Sequence, residues 1–152
     1  MTVLARREDG LEIDDDPDRV DLDTTVDLVV RQGYWANART RDAVAASIRS
    51  SWVFGVYDGD RQIGFARAVT DRATFAWICD VIVDEGRRGQ GVGTWLMRVI
   101  TGSLDDAGVP RQILATLDAH EVYRGVGYSE LAYPERWMER DLRPDVPPRP
   151  AG

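Results

Sequence analysis

The chain contains no lysine; all 19 of its basic residues are arginine. That absence excludes a Schiff-base lysine and the lysine of a Walker phosphate loop. The single cysteine, Cys79, permits no internal disulfide, and with one histidine, His120, no metal site is expected. No apolar run approaches the roughly 18 residues that a membrane helix needs. The opening MTVLARREDG lacks the apolar stretch of a secretory signal. A cytoplasmic protein with no membrane partner is expected. Acids outnumber bases 26 to 19, a net charge of −7. That balance argues against nucleic-acid binding, which depends on neutralising phosphates, and suits a cationic or amine-bearing partner.

What remains is enough for one domain with a real core: 152 residues, 43% of them hydrophobic. We expect that domain over residues 1–142. The tail RPDVPPRPAG, residues 143–152, holds too much proline for regular structure and reads as disordered. Residues 8–23 carry nine acids and one arginine, a solvated edge with room for one short strand. TTVDLVVRQG, 24–33, reads as a short helix stopped by Gly33. TRDAVAASIRSS, 40–51, reads as a second, with Val44, Ala45 and Ile48 on one face. WVFGVYDGDRQIGFARAVTD, 52–71, is a hairpin turning at Asp58-Gly59-Asp60. ATFAWICDVIV, 73–83, is a long strand apolar on both faces, as in the middle of a sheet.

Beyond it, Val92, Leu96, Val99 and Ile100 fall on one stripe of a helix. RQILATL, 111–117, is another strand, and DAHEVYRGVG, 118–127, a short helix ended by glycine. YSELAY, 128–133, and RWMERDL, 136–142, read as closing strands. The order gives an α/β (α+β) fold with a mixed sheet.

Gly89, Gly91 and Gly93 stand where the long strand gives way to the amphipathic helix. A helix start presents unpaired N–H groups and the positive end of its dipole, and glycines let an anion reach that backbone. Arg87 and Arg88 are expected to add charge at the rim, and Thr94 a hydroxyl in the first turn. The spacing is not a Walker loop, because Val92 stands where lysine must be. It is not a dinucleotide fingerprint either, because Thr94 stands where the third glycine belongs.

Arg88-Gly89-Gln90-Gly91-Val92-Gly93 closely resembles the R/Q-x-x-G-x-G/A acetyl-CoA motif of the Gcn5-related N-acetyltransferase (GNAT) superfamily. HEVYRGVGY adds a second likeness, with Tyr123, Gly127 and Tyr128 in the places of the family's Y-E-K-x-G-F. The order of elements over roughly residues 20–142 agrees with both. The resemblance implies a mostly antiparallel central sheet splayed around an acetyl-CoA site. It implies that backbone N–H groups from Arg88 through Gly89, Gln90, Gly91, Val92 and Gly93 to Thr94 hold the pyrophosphate of the co-substrate. Val81, Ile82 and Val83 would pair with its pantetheine arm. A bulge there would free the N–H of Val81 or Ile82 to polarise the acetyl carbonyl.

Tyr123 matches the tyrosine that protonates the departing thiolate, a task suited to a phenol with a pKa of about 10. Thr116 stands where the family often has an asparagine on the pantetheine arm. The loop GYWANART, with Tyr34 and Trp35 as walls, would bound the acceptor. The activity implied is direct transfer of acetyl, through a tetrahedral intermediate, to a primary amine: a small amine, an amino acid, a peptide N-terminus or a protein lysine. A non-catalytic acyl-CoA-binding module, or a transferase using a longer acyl donor, is the alternative. A homodimer stays open.

For the general base the residues offer two candidates. Asp80 is the only charge in an apolar strand, where a carboxylate must be paired or hydrogen-bonded. His120 is the chain's one histidine, the side-chain type suited to moving protons near neutral pH. Each has an equally simple structural reading, Asp80 as a satisfied core carboxylate and His120 as a helix start.

Overall fold

Six strands form one sheet in sequence order, β1 (Val3–Arg6), β2 (Leu11–Asp14), β3 (Trp52–Asp58), β4 (Arg61–Thr70), β5 (Ala76–Val83) and β6 (Gln112–Leu114). Every neighbouring pair is antiparallel except β5 with β6. The computed structural model describes residues 3–33, 35–36 and 38–144. Most of the proline-rich tail, from residue 145, therefore lies outside the described residues.

The helices arise where the sequence caps them. Asp21 accepts the Thr24 N–H at 2.8 Å and starts α1 (Leu22–Val26), which widens into a π turn over Asp27–Gln32 and stops at Gly33. Thr40 caps α2 (Arg41–Arg49) through the Ala43 N–H. The long helix α3 (Val92–Asp106) follows the glycine turn, and α4 (His120–Arg124) follows β6. No helix among the described residues is long and apolar enough to cross a membrane.

Both faces of the sheet are covered. On one, α3 buries Val92, Leu96, Met97, Ile100 and Leu104 against Phe54, Val56, Ala66 and Ile78. Val99, placed on the same stripe by the sequence, is partly buried there. On the other face, Leu28 and Val29 of the π turn pack on Val53, Phe65 and Ile82. Gln62 ties that layer to the sheet, donating to Thr25 Oγ1 at 3.0 Å and accepting the Asp21 N–H at 2.8 Å.

Three differences from the sequence reading have physical causes. A strand, β1, precedes residue 8, where none was expected; it pairs only with β2 and alternates between half-buried and exposed residues. β5 starts at Ala76 rather than residue 73 because Asp71 accepts the N–H groups of Ala73, Thr74 and Phe75 and turns that segment. No strand forms over 128–133 or 136–142: Pro134–Arg136 makes a single 3₁₀ turn, and Met138 and Leu142 are 96% and 72% exposed. Pro134 has no N–H for a ladder, and the neighbouring β6 is only three residues long.

Candidate active site

A break in the β4–β5 ladder shapes the site. Phe65 pairs with Ile82 and Arg67 with Cys79, so Ala66 alone faces the two residues Asp80 and Val81. This is a β-bulge, and Asp80 occupies its left-handed position at φ +55°. Aspartate is among the few side chains other than glycine that tolerate that region. The extra residue exchanges the strand's faces. Ala76 and Ile78 point into the α3 cluster, Ile82 points into the opposite one, and Val81 and Val83 pack toward α3.

A second break opens the sheet beside the bulge. β6 pairs with β5 only from Ala76–Gln112 to Ile78–Leu114. From Cys79 to Val83, β5 runs on with no partner on that edge among the described strands. This open edge leads through a 3₁₀ turn at Glu85–Arg87 into the glycine turn and α3.

Gly89 and Gly91 both have positive φ, +80° and +74°, and both are exposed. A Cβ added to either would meet nothing within 4 Å, so the backbone faces open space. Gly91 is the N-cap of α3. It provides no side-chain cap, and no acid stands in the first helical turn. A 15-residue helix thus presents its positive end uncapped, which fits an anion such as a diphosphate. Arg87 and Arg88, expected to add charge at the rim, both have partners of their own. Arg87 forms an ion pair with Asp58, and Arg88 Nε donates to the Val83 carbonyl at 3.2 Å.

Asp80 is the most enclosed charge of the site, with only 2% of its side chain exposed. Arg39 Nη1 and Arg67 Nε each donate to Oδ2 at 2.6 Å, and Trp35 Nε1 donates to Oδ1 at 3.0 Å. Burial pushes the carboxyl pKa up, but Arg67 and then Arg39 outweigh it, and the group lies below its ordinary value. The carboxylate that the sequence offers as a proton acceptor is therefore engaged by three donors and held ionised. Beside it, burial raises the Cys79 thiol to about 11 against the opposing pull of Arg67, so it is no thiolate nucleophile near neutrality.

Aspartate-to-asparagine isolates the charge, because asparagine also tolerates the left-handed backbone. We expect Asp80→Asn to cost about 1.5–3 kcal/mol, the usual worth of hydrogen bonds to a charged group. That corresponds to a fall in Tm of roughly 4–10 °C for a domain of this size. Because the folded pKa is depressed, the contribution is complete above the unfolded carboxylate value near pH 4 and is lost as pH falls through the folded value. Melting curves of both proteins should therefore converge in acid. A constant gap down to the lowest pH would show that the charge is not what stabilises.

The remaining candidates divide. Tyr123 is half-buried on α4, packs against the α3 cluster and meets Tyr128 edge-on, with centroids 6.4 Å apart at 77°. Tyr128 is itself fixed, donating to Gln112 at 2.9 Å and bonded to Thr101 at 3.1 Å. The Thr116 hydroxyl accepts the Ala119 N–H at 3.0 Å, bracing the turn before α4. Thr116, Tyr123, Tyr128 and the exposed His120 line a cavity of about 250 Å³ together with Leu114 and Leu131. The cavity's lining comes from β6 and the two residues after it, α4 and the segment 128–131, and includes no residue of β5 or of the glycine turn. Trp35 braces the α1–α2 loop onto the bulge, and Tyr34 lies outside the described residues. Arg39, Arg67 and Arg7, which reaches the glycine turn from the N-terminal hairpin, were not singled out in the sequence. Their partners lie 41, 13 and 83 residues away, and no local pattern marks such pairs.

Among the described residues no group of three or more His, Cys, Asp or Glu is placed to hold a metal ion. Comparison with known proteins agrees with the geometry. The acetyltransferase (GNAT) family matches residues 15–128. Histone acetyltransferase TAP1 of Glycine max is 36% identical over 83 residues, 54% of this chain and 36% of that protein. The chain spans half or less of the length of the curated relatives it matches. A crystal structure of a protein assigned to the GNAT acetyltransferases, from Xanthomonas campestris pv. campestris, superposes with a TM-score of 0.83. It is 30% identical, covering 91% of this chain and 96% of that one. Glucosamine-6-phosphate N-acetyltransferase from Arabidopsis thaliana has a TM-score of 0.63 at 13% identity over 88% of this chain and 99% of that one, a likeness of fold alone. With a family match over three quarters of its length and the splayed sheet and glycine turn in place, the chain belongs to the acetyltransferase (GNAT) family.

Proposed function

We propose that this protein transfers the acetyl group of acetyl-CoA to a primary amine. The observation that carries the reading is the continuity of three features: a bulge, an unpaired strand edge and an uncapped helix start floored by two positive-φ glycines. Acetyl-CoA is the substrate that supplies the acetyl group and the thiolate leaving group. The chain's own residues provide the rest. Backbone N–H groups of residues 88–94 bind the diphosphate, and the open edge from Val81 to Val83 takes the pantetheine arm as an added strand would. The N–H of Val81 or Ile82, beside the interrupted ladder, steadies the negative charge that develops on the carbonyl oxygen.

Tyr123 supplies the proton to the departing sulfur. Asp80, tied up by Arg39, Arg67 and Trp35, is a positioning residue. It holds the bulge and anchors the α1–α2 loop, so the amine's proton leaves by water or His120. Trp35, and Tyr34 beside it in sequence, bound the acceptor. The acceptor is a small-molecule or peptide amine.

Thiol release from acetyl-CoA, measured against a panel of amines, amino acids and peptides, tests the reading. Turnover with at least one amine, and acetylated product by mass, is the expected result. Binding of acetyl-CoA in calorimetry with no turnover on any acceptor would instead support an acyl-CoA-binding module, and turnover only with longer acyl chains would reassign the donor.

A further inference from the structure

The N-terminal hairpin reaches the glycine turn through one side chain. Arg7 Nη1 donates to the Gln90 carbonyl at 3.1 Å across 83 residues of sequence. Its guanidinium is held in place from two other sides. Nε and Nη2 grip the Asp9 carboxylate at 3.3 and 2.6 Å, and the group lies 5.3 Å from the centroid of the Trp95 ring in the first turn of α3. The backbone beneath it is fixed as well: the Arg7 N–H donates to Leu11 at 2.9 Å, and the Arg7 carbonyl accepts from Gly10 at 3.1 Å.

What this contact controls follows from peptide geometry. The Gln90 carbonyl and the Gly91 N–H belong to one planar trans peptide, so they point in opposite directions. Holding the carbonyl toward Arg7 aims the Gly91 N–H away from the hairpin. This peptide is also able to turn over, since the flip changes only the ψ of Gln90 and the φ of Gly91. Gln90 sits between two positive-φ glycines, glycine accepts either sign of φ, and the space around Gly91 is open. Arg7 is already paired with Asp9, so its contribution is direction rather than net charge.

We propose that Arg7 is a peptide lock, a positioning residue that keeps the Gln90–Gly91 peptide in the orientation that binds the diphosphate. The inference rests on the acetyl-CoA reading above, and its test separates the two. In the ligand-free protein, ¹⁵N relaxation dispersion should be flat at Gly91 in the wild type. In Arg7→Ala it should show microsecond-to-millisecond exchange at Gln90 and Gly91, with the body of α3 unchanged. If the competent orientation then falls to roughly 5–20% of the population, the Kd for coenzyme A rises about 5–20-fold. Arg7→Lys, which can still donate to the carbonyl, should restore part of that loss. The kcat at saturating acetyl-CoA should hold.

Dephospho-coenzyme A should suffer the same fold-loss as coenzyme A. A loss confined to the ligand bearing the 3′-phosphate would make Arg7 a direct phosphate contact and overturn the lock. So would a quiet Gly91 amide in a folded Arg7→Ala protein, or an unchanged Kd. A wild type that binds no coenzyme A would refute the acetyl-CoA reading, while the ligand-free dispersion would still decide whether Arg7 locks the peptide.

Discussion

Tyr123→Phe should lower kcat by about 10²–10⁴-fold, the usual worth of a positioned proton donor, while the KM for acetyl-CoA stays within roughly twofold. The substitution removes one oxygen and leaves the ring. The ring keeps its edge-on contact with Tyr128 and its packing on the α3 cluster, and those two contacts do not need the hydroxyl. A loss in kcat alone is therefore the signature of an interaction made only in the transition state. Tyr128→Phe is the matched control. It breaks bonds to Gln112 and Thr101, so it should cost stability by about 1 kcal/mol and leave kcat near that of the wild type. Steady-state thiol release at saturating acetyl-CoA, with Tm recorded for both variants, reads the two effects apart. Full turnover in Tyr123→Phe would return that residue to packing.

The sequence carried some parts of this site and was silent on others, for reasons visible in particular residues. Val92, Leu96 and Ile100 are buried as their spacing requires, because a helical stripe is a local property of the chain. The hairpin of β3 and β4 was legible for the same reason, with its turn at Gly59 in positive φ. Asp80 was conspicuous as a lone acid in an apolar strand, but its work was not legible. That depends on two arginines and a tryptophan brought in from β4 and the α1–α2 loop. The bulge itself came from resemblance. Alternation of apolar residues through 76–83 gives no sign that the strand changes faces at Asp80, since both faces are covered. At the C-terminal end, 128–133 and 136–142 have strand-like residues and no ladder. Whether a strand forms is decided by the edge available to it, which no single segment records.

Gly91→Glu should weaken acetyl-CoA binding by on the order of 10²-fold or more. The reasoning has two parts that a control can separate. Gly91 sits at φ +74°, so any L side chain there costs the fold about 1–2 kcal/mol, and Tm should fall by a few degrees in either Gly91→Ala or Gly91→Glu. Its added Cβ meets nothing within 4 Å, so Gly91→Ala has no clash to unfold it and the glutamate side chain starts into open space. The glutamate alone brings a carboxylate to the uncapped start of α3, where it occupies the positive end of the dipole that an anion would use. A carboxylate about 4 Å from a phosphate, at the effective dielectric of a protein surface, repels it by about 4 kcal/mol, and each 1.4 kcal/mol is a factor of ten in affinity. Gly91→Ala, with the same backbone strain and no charge, should retain most of the affinity. The ratio between the two variants should also shrink as salt is raised, because the repulsion is exposed to solvent. Calorimetry on both proteins at two ionic strengths measures this directly. If folded Gly91→Glu binds as tightly as Gly91→Ala, the diphosphate is not held at the start of α3, and the open edge of β5 alone must account for cofactor binding.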